Sequence, residues 1–320
     1  MTDGKAIKRL EKLCNELEQD KHGATYYDSK EFKLILEELG VSEVEFKELL
    51  SLTDINIPRL NKKRFYINLS PSIQVTDSKF GENYSKIRIE PIVAGKNKNL
   101  GWKVILKATT KESVDISEMR VNFEDGEHMD LEKLITNTEG INGEDICSAD
   151  VHKGHLLAKC LYEESDGKSL IPHMKNAKGK KINFSTTGKC GKNNKYNAYW
   201  QFSRANYDVT NKDEKKDSGT FGQAFFEQAV KSYFKVLTDK GMQDAEVYYE
   251  VKAIFKNIED EIPIGNRIKA VVNIEGELQE NCSKLENFDV FIPNISHHKF
   301  YDFSYEKGFK RKAEYDFLDE

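Results

Sequence analysis

Apolar side chains along the first 58 residues recur with the period of amphipathic helices. In the first predicted helix they stand at the i, i+3, i+4 and i+7 positions, at Leu10, Leu13, Cys14 and Leu17. A second helix is predicted over "DSKEFKLILEELG", ending at Gly40, and a third over "SEVEFKELLSL", where Ser42 and Glu45 have the spacing of a capping box. The segment 1–58 is therefore predicted to be a helical N-terminal module.

From residue 59 to residue 135 the period changes to two. Four stretches alternate apolar with polar side chains and are rich in Ile, Val, Phe and Tyr: "RFYINLS", "SKIRIEPIV", "WKVILKAT" and "EMRVNFED". Such alternation is typical of strands with one buried face. We expect an antiparallel meander here, either separate from the domain that follows or part of it.

Residues 136–320 mix both patterns. The stretch "TFGQAFFEQAVKSYFKVL" is predicted to be an amphipathic helix, "AEVYYEVKAIF" and "RIKAVVNIEG" a pair of strands, and "FDVFIPN" a further strand. The chain as a whole is therefore predicted to belong to the α+β class.

Composition limits the class of protein. Hydrophobic content is 38%, and the chain has neither an apolar run of membrane-spanning length nor the apolar core of a signal peptide. We expect no membrane contact, and either a cytoplasmic location or export by a specialised system without a cleavable signal peptide. Five cysteines without a CxxC pair predict reduced thiols. A zinc site could be drawn from five side chains whose spacing matches no known finger: Cys147, His152, His155, Cys160 and Cys190.

Charge is distributed unevenly. The net charge is −5, but the stretch 151–206 holds eleven Lys and Arg against three Asp and Glu, which leaves −13 for the remainder. This local excess of +8 favours an anion-binding surface. A solvated basic loop is the alternative interpretation for part of the stretch.

Two segments carry candidate chemistry. "DVHKGHLLAKCLY" places a Gly-His pair before an apolar run, and "YNAYWQFSRANYD" offers the amides of Asn197, Gln201 and Asn206 at offsets of four and five residues. We expect a short helix or tight turn over the second segment, with Asn197 and Gln201 on one face and a bend before Asn206. Amide oxygens suit a hard cation such as Mg²⁺, although core hydrogen bonding is an equally ordinary task for them.

Together the two segments resemble the DNA/RNA non-specific endonuclease family of the ββα-metal, or His-Me finger, superfamily. "HKGHLLA" is similar to the family's Asp-Arg-Gly-His-Leu motif, "NAYWQFSRAN" to its Asn-x-x-x-Gln-x-x-x-x-Asn motif, and "FGQAFFEQAV" to the helix that follows. The similarity extends over residues 144–305. It implies a ββα-metal nuclease domain with a mixed antiparallel sheet in residues 136–320, preceded by the helical module and the β meander.

The resemblance implies a role for each matching residue. His155 would be the general base and Asn206 the direct ligand of Mg²⁺, or of Mn²⁺, with Asn197 also at the metal site through its waters. Glu227 would support catalysis without binding the metal directly. Three further side chains would contact the phosphate or position the substrate: Lys153, Arg204 and Gln201.

The sequence departs from the family pattern at two places. His152-Lys153 replaces Asp-Arg, so that Asp150 is the nearest upstream acid, and a basic insertion, "HMKNAKGKKINFSTTGKCGKNNK", precedes Asn197. The first hypothesis is a metal-dependent non-specific endonuclease acting on DNA, with RNA left open as a second substrate. The alternative is a nucleic-acid-binding or regulatory protein on a catalytically weakened nuclease fold.

A nuclease without a signal peptide would endanger its own cell. The resemblance therefore implies a toxin, an effector or a defence nuclease that an inhibitor, immunity protein or regulatory protein controls. The acidic N-terminal helices are the expected docking surface for such a partner.

Overall fold

The structure is a computed structural model that describes residues 4–21, 29–52, 59–61, 66–69, 89–95, 98–107, 113–115, 151–162, 170–171, 173–175, 197–206, 222–241, 246–260, 262–273 and 285–295. Its helices are α1 (Gly4–Lys21), α2 (Ser29–Leu39), α3 (Glu43–Leu49), α4 (Lys159–Tyr162), α5 (Ser203–Asn206) and α6 (Gly222–Asp239). Its strands are β1 (Arg59–Asn61), β2 (Tyr66–Asn68), β3 (Ile89–Ala94), β4 (Lys98–Lys107), β5 (Ser113–Asp115), β6 (Val151–His155), β7 (His173–Lys175), β8 (Ala198–Phe202), β9 (Glu246–Ile254), β10 (Gly265–Asn273) and β11 (Phe288–Pro293). The chain is α+β, as the sequence predicted.

The three N-terminal helices form where the apolar period predicts them. Gly40 ends α2 with a positive φ of 64°, a backbone conformation that glycine adopts without strain. The predicted capping box is present at α3: the Ser42 hydroxyl accepts from the Glu45 N–H at 3.2 Å, and the Ser42 N–H donates to the Glu45 carboxylate at 2.7 Å. These contacts satisfy amide groups that the first turn of a helix leaves unpaired.

A seven-stranded sheet with the order β1-β2-β11-β10-β9-β4-β3 organises the fold, and each pair within it is antiparallel. The predicted pairing of β9 with β10 is confirmed. Of the predicted meander, the antiparallel pairing of β3 with β4 is confirmed. The predicted adjacency of β2 to these strands is wrong, because β9, β10 and β11 lie between β4 and β2. Alternation identifies a strand with one buried face but carries no information about its partner. The stretch "EMRVNFED" lies outside the described residues.

Helices cover both faces of this sheet. One face packs against α1 and α6, and their shared core includes Leu10, Phe226 and Val251. The opposite face, near β2 and β11, packs against α2 and α3 through a second core that contains Phe46 and Phe291. The predicted regions 59–135 and 136–320 both contribute strands to the sheet. Within the described part of the chain, no helix combines the length and hydropathy needed to cross a bilayer. The two described cysteines, Cys14 and Cys160, are free thiols.

A buried ion pair fastens α3 to the sheet. Arg267 on β10 donates from Nε and Nη2 to the two carboxylate oxygens of Asp289 on β11, at 2.7 and 2.6 Å, and from Nη1 to the Leu50 carbonyl at 2.6 Å. Burial lowers the pKa of the Arg267 guanidinium, but the hydrogen bonds and charge of Asp289 outweigh burial, so the net shift is upward. Asp289 is 1% exposed, so removal of one member of this pair disturbs a desolvated group.

The substitution Arg267→Met should lower the free energy of unfolding by about 3–5 kcal/mol, because it removes the two guanidinium hydrogen bonds and the positive charge beside a buried carboxylate. Urea unfolding measures this loss. The double variant Arg267→Met/Asp289→Asn should lose less, since no unpaired charge remains. Equal losses in the single and double variants would contradict this account of the ion pair.

Candidate functional site

The two segments with candidate chemistry form one strand–strand–helix unit. Strand β6 pairs with β8, from Val151 opposite Phe202 to His155 opposite Ala198, and α5 follows β8 directly and packs against β6. We call this antiparallel pair the β6–β8 hairpin, although α4 and β7 lie between its two strands in the chain. Because side chains alternate along a strand, positions 153 and 155 belong to one face of the hairpin, and positions 152, 154 and 201 belong to the other. His155 is half-buried at the end of β6.

The segment 197–206 is a strand followed by one helical turn, where the sequence predicted a short helix or tight turn. Residues 198–202 are extended because Tyr199, Trp200 and Phe202 favour strand geometry and β6 supplies a pairing partner. An offset of four residues also returns to the same face of a strand, and the side chains of Asn197 and Gln201 are both buried. The bend expected before Asn206 falls between β8 and α5.

Gly154 is required by close packing within the hairpin. A Cβ at this position would lie 1.8 Å from Oε1 and 2.3 Å from Cδ of Gln201. Gln201 is 3% exposed, so its side chain has little room to move aside. The glycine before His155 therefore lets β6 and β8 pair with the Gln201 amide packed against the backbone.

Asn197 holds the backbone that follows the histidine. Its Oδ1 accepts from the Leu157 N–H at 2.8 Å, its Nδ2 donates to the Leu157 carbonyl at 2.9 Å, and its own carbonyl accepts from the Leu156 N–H at 2.8 Å. The side chain is fully buried. These contacts favour a structural task for Asn197 over the metal-site role expected from the sequence.

Gln223, on the first turn of α6, is the centre of a buried polar network behind β6. Its Nε2 lies 2.5 Å from the His155 carbonyl, 3.2 Å from the Leu156 carbonyl and 2.6 Å from Oε1 of Glu227. Its Oε1 accepts from Asn266 at 2.7 Å and from Gln201 at 3.4 Å. Gln201, expected to contact substrate, thus faces this interior network.

Glu227 lies in the same network at 9% exposure. Burial raises the pKa of its carboxyl to about 8, and the hydrogen bond from Gln223 opposes that rise only in part. Burial and then the charge of Glu227 raise the pKa of the neighbouring Cys160 thiol to about 12. The Glu227 carboxyl therefore titrates close to neutral pH. It accepts a hydrogen bond from the amide nitrogen of Gln223, whereas Gln201 donates to the amide oxygen.

Asn206 ends α5 and is half-buried, while its neighbour Ala205 is packed into the main core. The His155 ring lies 6.1 Å from the Tyr162 ring, tilted by 54°. Lys153 and Arg204 occupy β6 and α5, but their side chains lie outside the described residues. So do Asp150 and the basic insertion.

Asn294, in the "FIPN" stretch, holds β8 where it leads into α5. Its Oδ1 accepts from the Phe202 N–H at 2.8 Å, and its Nδ2 donates to the carbonyls of Trp200 at 3.1 Å and Pro263 at 2.9 Å. The Tyr199 hydroxyl donates to the Asn99 carbonyl at 2.5 Å and so ties the same strand to β4. The hairpin is thereby attached to the large sheet at several points.

Sequence reasoning did not identify Gln223, Asn266 or Asn294. One signal was available for Gln223, because it precedes Glu227 by four residues on a predicted helix and so shares its face. Within the described ranges, no group of three or more His, Cys, Asp or Glu side chains is arranged to hold a metal. Two members of the zinc set, Cys147 and Cys190, lie outside those ranges.

No family model matches this chain, and no curated protein matches it. Among solved structures, the chain is similar to NucA from Streptococcus agalactiae with magnesium bound, at 15% identity and a TM-score of 0.42, over 80% of this chain and 92% of that one. It is also similar to the same protein with no metal bound, at 15% identity and a TM-score of 0.44, over 82% of this chain and 93% of that one. Both likenesses are too distant to assign a function.

The substitution Glu227→Gln should remove a pH dependence of stability. The folded-state pKa of Glu227 is raised from 4.5 to about 8. The favourable contribution of the protonated carboxyl to the free energy of unfolding is therefore fully present below pH 4.5 and is lost as the pH rises through 8. Above that pH, the variant should be more stable than the wild type by on the order of 3–5 kcal/mol; near pH 5 they should agree within about 1 kcal/mol.

Urea unfolding in metal-free buffer across this pH range measures the difference. The substitution Glu37→Gln, at an exposed site on α2, is the matched control and should leave the pH dependence unchanged. Parallel stability curves for the wild type and Glu227→Gln would show that Glu227 is not desolvated as described.

Proposed function

We propose that this chain is a divalent-metal-dependent endonuclease that hydrolyses phosphodiester bonds, with His155 as general base and Asn206 as the direct metal ligand. The observation that carries the proposal is the strand–strand–helix unit, in which the strand that ends at His155 packs against the helix that ends at Asn206. Both side chains are half-buried, so each can be held in place and still reach solvent.

His155 suits proton transfer from water. A neutral imidazole accepts a proton near neutral pH, which is what activation of an attacking water requires. The backbone that begins with the His155 carbonyl is held by buried amides, Gln223 through that carbonyl and Asn197 through Leu157. The imidazole is therefore carried on a rigid support, as a general base needs.

The donor set fits a hard cation that keeps most of its waters. Asn206 offers a neutral amide oxygen at the end of α5, and Mg²⁺ accepts one or two protein oxygens with water in its remaining positions. Mn²⁺ would be the alternative. When bound, the ion would neutralise charge on the phosphate and on the leaving oxygen.

The substrate that we propose is DNA, with RNA open as a second substrate. Position 153 shares a face of the hairpin with His155, and position 204 lies on α5 two residues before Asn206. Lys153 and Arg204 therefore occupy positions from which phosphates could be contacted. Contacts to phosphates carry no sequence information, so cleavage should be non-specific and should weaken with added salt.

The alternative of a catalytically weakened fold was motivated by His152 in place of the family's Asp. Register places position 152 opposite Gln201, on the face of the hairpin away from that of His155. The departure therefore does not alter the face that would carry the base, and this supports the catalytic proposal. Nucleic-acid binding without hydrolysis would favour the alternative.

The substitution His155→Ala should lower cleavage of plasmid DNA in Mg²⁺ by about a hundredfold or more, because no other group would take the proton from water. Asn206→Ala should raise the Mg²⁺ concentration needed for half-maximal cleavage. Urea unfolding checks that both variants fold. Asn287→Ala is the control, at an exposed amide directly before β11, at the end of that strand opposite Asn294. Wild-type rates in His155→Ala would exclude its role as base.

We further propose that a basic inhibitor, immunity protein or regulatory protein docks on α2 and α3 and controls a toxin, effector or defence nuclease. The supporting observation is a group of exposed carboxylates on these helices: Glu37, Glu43, Glu45 and Glu48. Opposite charges steer such encounters and make them sensitive to salt.

The double substitution Glu37→Lys/Glu48→Lys should weaken binding of a basic probe peptide, measured by fluorescence anisotropy at low salt. Neither side chain is buried, so the fold should be unaffected. Glu259→Lys, at an exposed site in the β9–β10 connection, is the control for net charge. Unchanged affinity in the double variant would exclude these helices as the docking surface.

A further inference from the structure

Gln223 is almost fully buried, at 1% exposure, and no role in catalysis follows from its sequence context. Its Nε2 lies between the main-chain carbonyls of His155 and Leu156, at 2.5 and 3.2 Å, at the point where β6 ends. The two carbonyls belong to the peptide units directly after the imidazole-bearing Cα. Gln223 therefore contacts the backbone segment whose position decides where the imidazole is carried.

The orientation of this amide is determined by its partners. Main-chain carbonyls only accept hydrogen bonds, so the amide nitrogen of Gln223 must face them and its oxygen must face the other way. That oxygen accepts from Nδ2 of Asn266 on β10 and from Nε2 of Gln201 on β8. The amide oxygens of Asn266 and Gln201 have no hydrogen-bond partner among the described residues, whereas both amide nitrogens donate to Gln223.

The network joins four elements at one point. Gln223 links α6 to the end of β6, Glu227 holds its nitrogen from one turn further along the helix, and Asn266 and Gln201 add β10 and β8. One residue further along the same backbone, Asn197 pairs with Leu157. The backbone from His155 to Leu157 is thus held by two buried amides, those of Gln223 and Asn197.

From this geometry we infer that Gln223 is a positioning residue for His155. It fixes the main-chain carbonyl of the histidine and thereby the direction in which the imidazole leaves the end of β6. It touches neither substrate nor metal in this assignment. The inference rests on the proposed function only for its consequence in catalysis, because the structural link between Gln223 and His155 stands without it.

The test compares Gln223→Met with the wild type in the full chain. Methionine has a similar length and shape but cannot donate to the carbonyls, so the support of the His155 backbone is lost while the core stays filled. The first readout is the His155 ring signal in a ¹³C-histidine-labelled sample, assigned by its disappearance in His155→Ala. We expect this signal to shift and broaden in Gln223→Met.

The second readout is plasmid cleavage in Mg²⁺. Loss of positioning should lower kcat by roughly ten- to hundredfold and leave KM within about twofold, since substrate contacts are unchanged. Ser232→Ala, at a buried hydroxyl on α6 that has no hydrogen-bond partner among the described residues, is the matched control and should alter neither readout. If Gln223→Met does not fold, Gln223→Asn replaces it, because this shorter amide keeps the polarity but not the reach.

The outcomes separate the two proposals. A shifted His155 signal with a lower kcat supports both of them. A shifted signal in a chain whose wild type does not cleave nucleic acid supports the positioning role and contradicts the nuclease. An unchanged His155 signal overturns the positioning role, whatever the cleavage rate, and so does a change confined to KM.

Discussion

The candidate site depends on one interaction: the amide of Gln223, which is 1% exposed, donates to the His155 carbonyl at 2.5 Å where β6 ends. A polar group buried without a partner costs free energy comparable to a lost hydrogen bond, so the buried Gln223 amide favours packing of α6 with its first turn at the end of β6. That requirement orients the oxygen of Gln223 toward β8 and β10. The packing of the helix, the hairpin and the large sheet is therefore coupled through one side chain.

Around this point the fold attaches the hairpin β6–β8 to the large sheet from several sides. Tyr199 reaches β4, and Asn294 holds the end of β8 through Phe202 and Trp200. Because Asn294 contacts the backbone of the residues directly before α5, the same hydrogen bonds limit where Asn206 can lie. The positions of the proposed base and the proposed ligand, His155 and Asn206, are thus set by buried amides that themselves belong to the scaffold, which is how a rigid site is built on a sheet.

Several features were predictable from local sequence. The helices α2 and α3 follow from the apolar period, Gly40 and the Ser42–Glu45 box, since each acts within a few residues. The pair β9–β10 follows from alternation around a short connection. The position of β4 beside β9 and the extended form of residues 198–202 did not follow, because each depends on a partner strand distant in the sequence.

The sequence by itself determined which side chains are available for chemistry, His155 and three amides at offsets of four and five residues. It also determined the α+β class, the end of α2 and the start of α3. Only the tertiary structure decided how these amides are used: Asn197 and Gln201 are turned into the interior, and Asn206 stays at the end of a helix. The physical reason is that a buried amide must pair with whatever donors and acceptors folding brings next to it. Here those partners are the backbone of Leu157 and the side chain of Gln223, forty and twenty-two residues away in the chain.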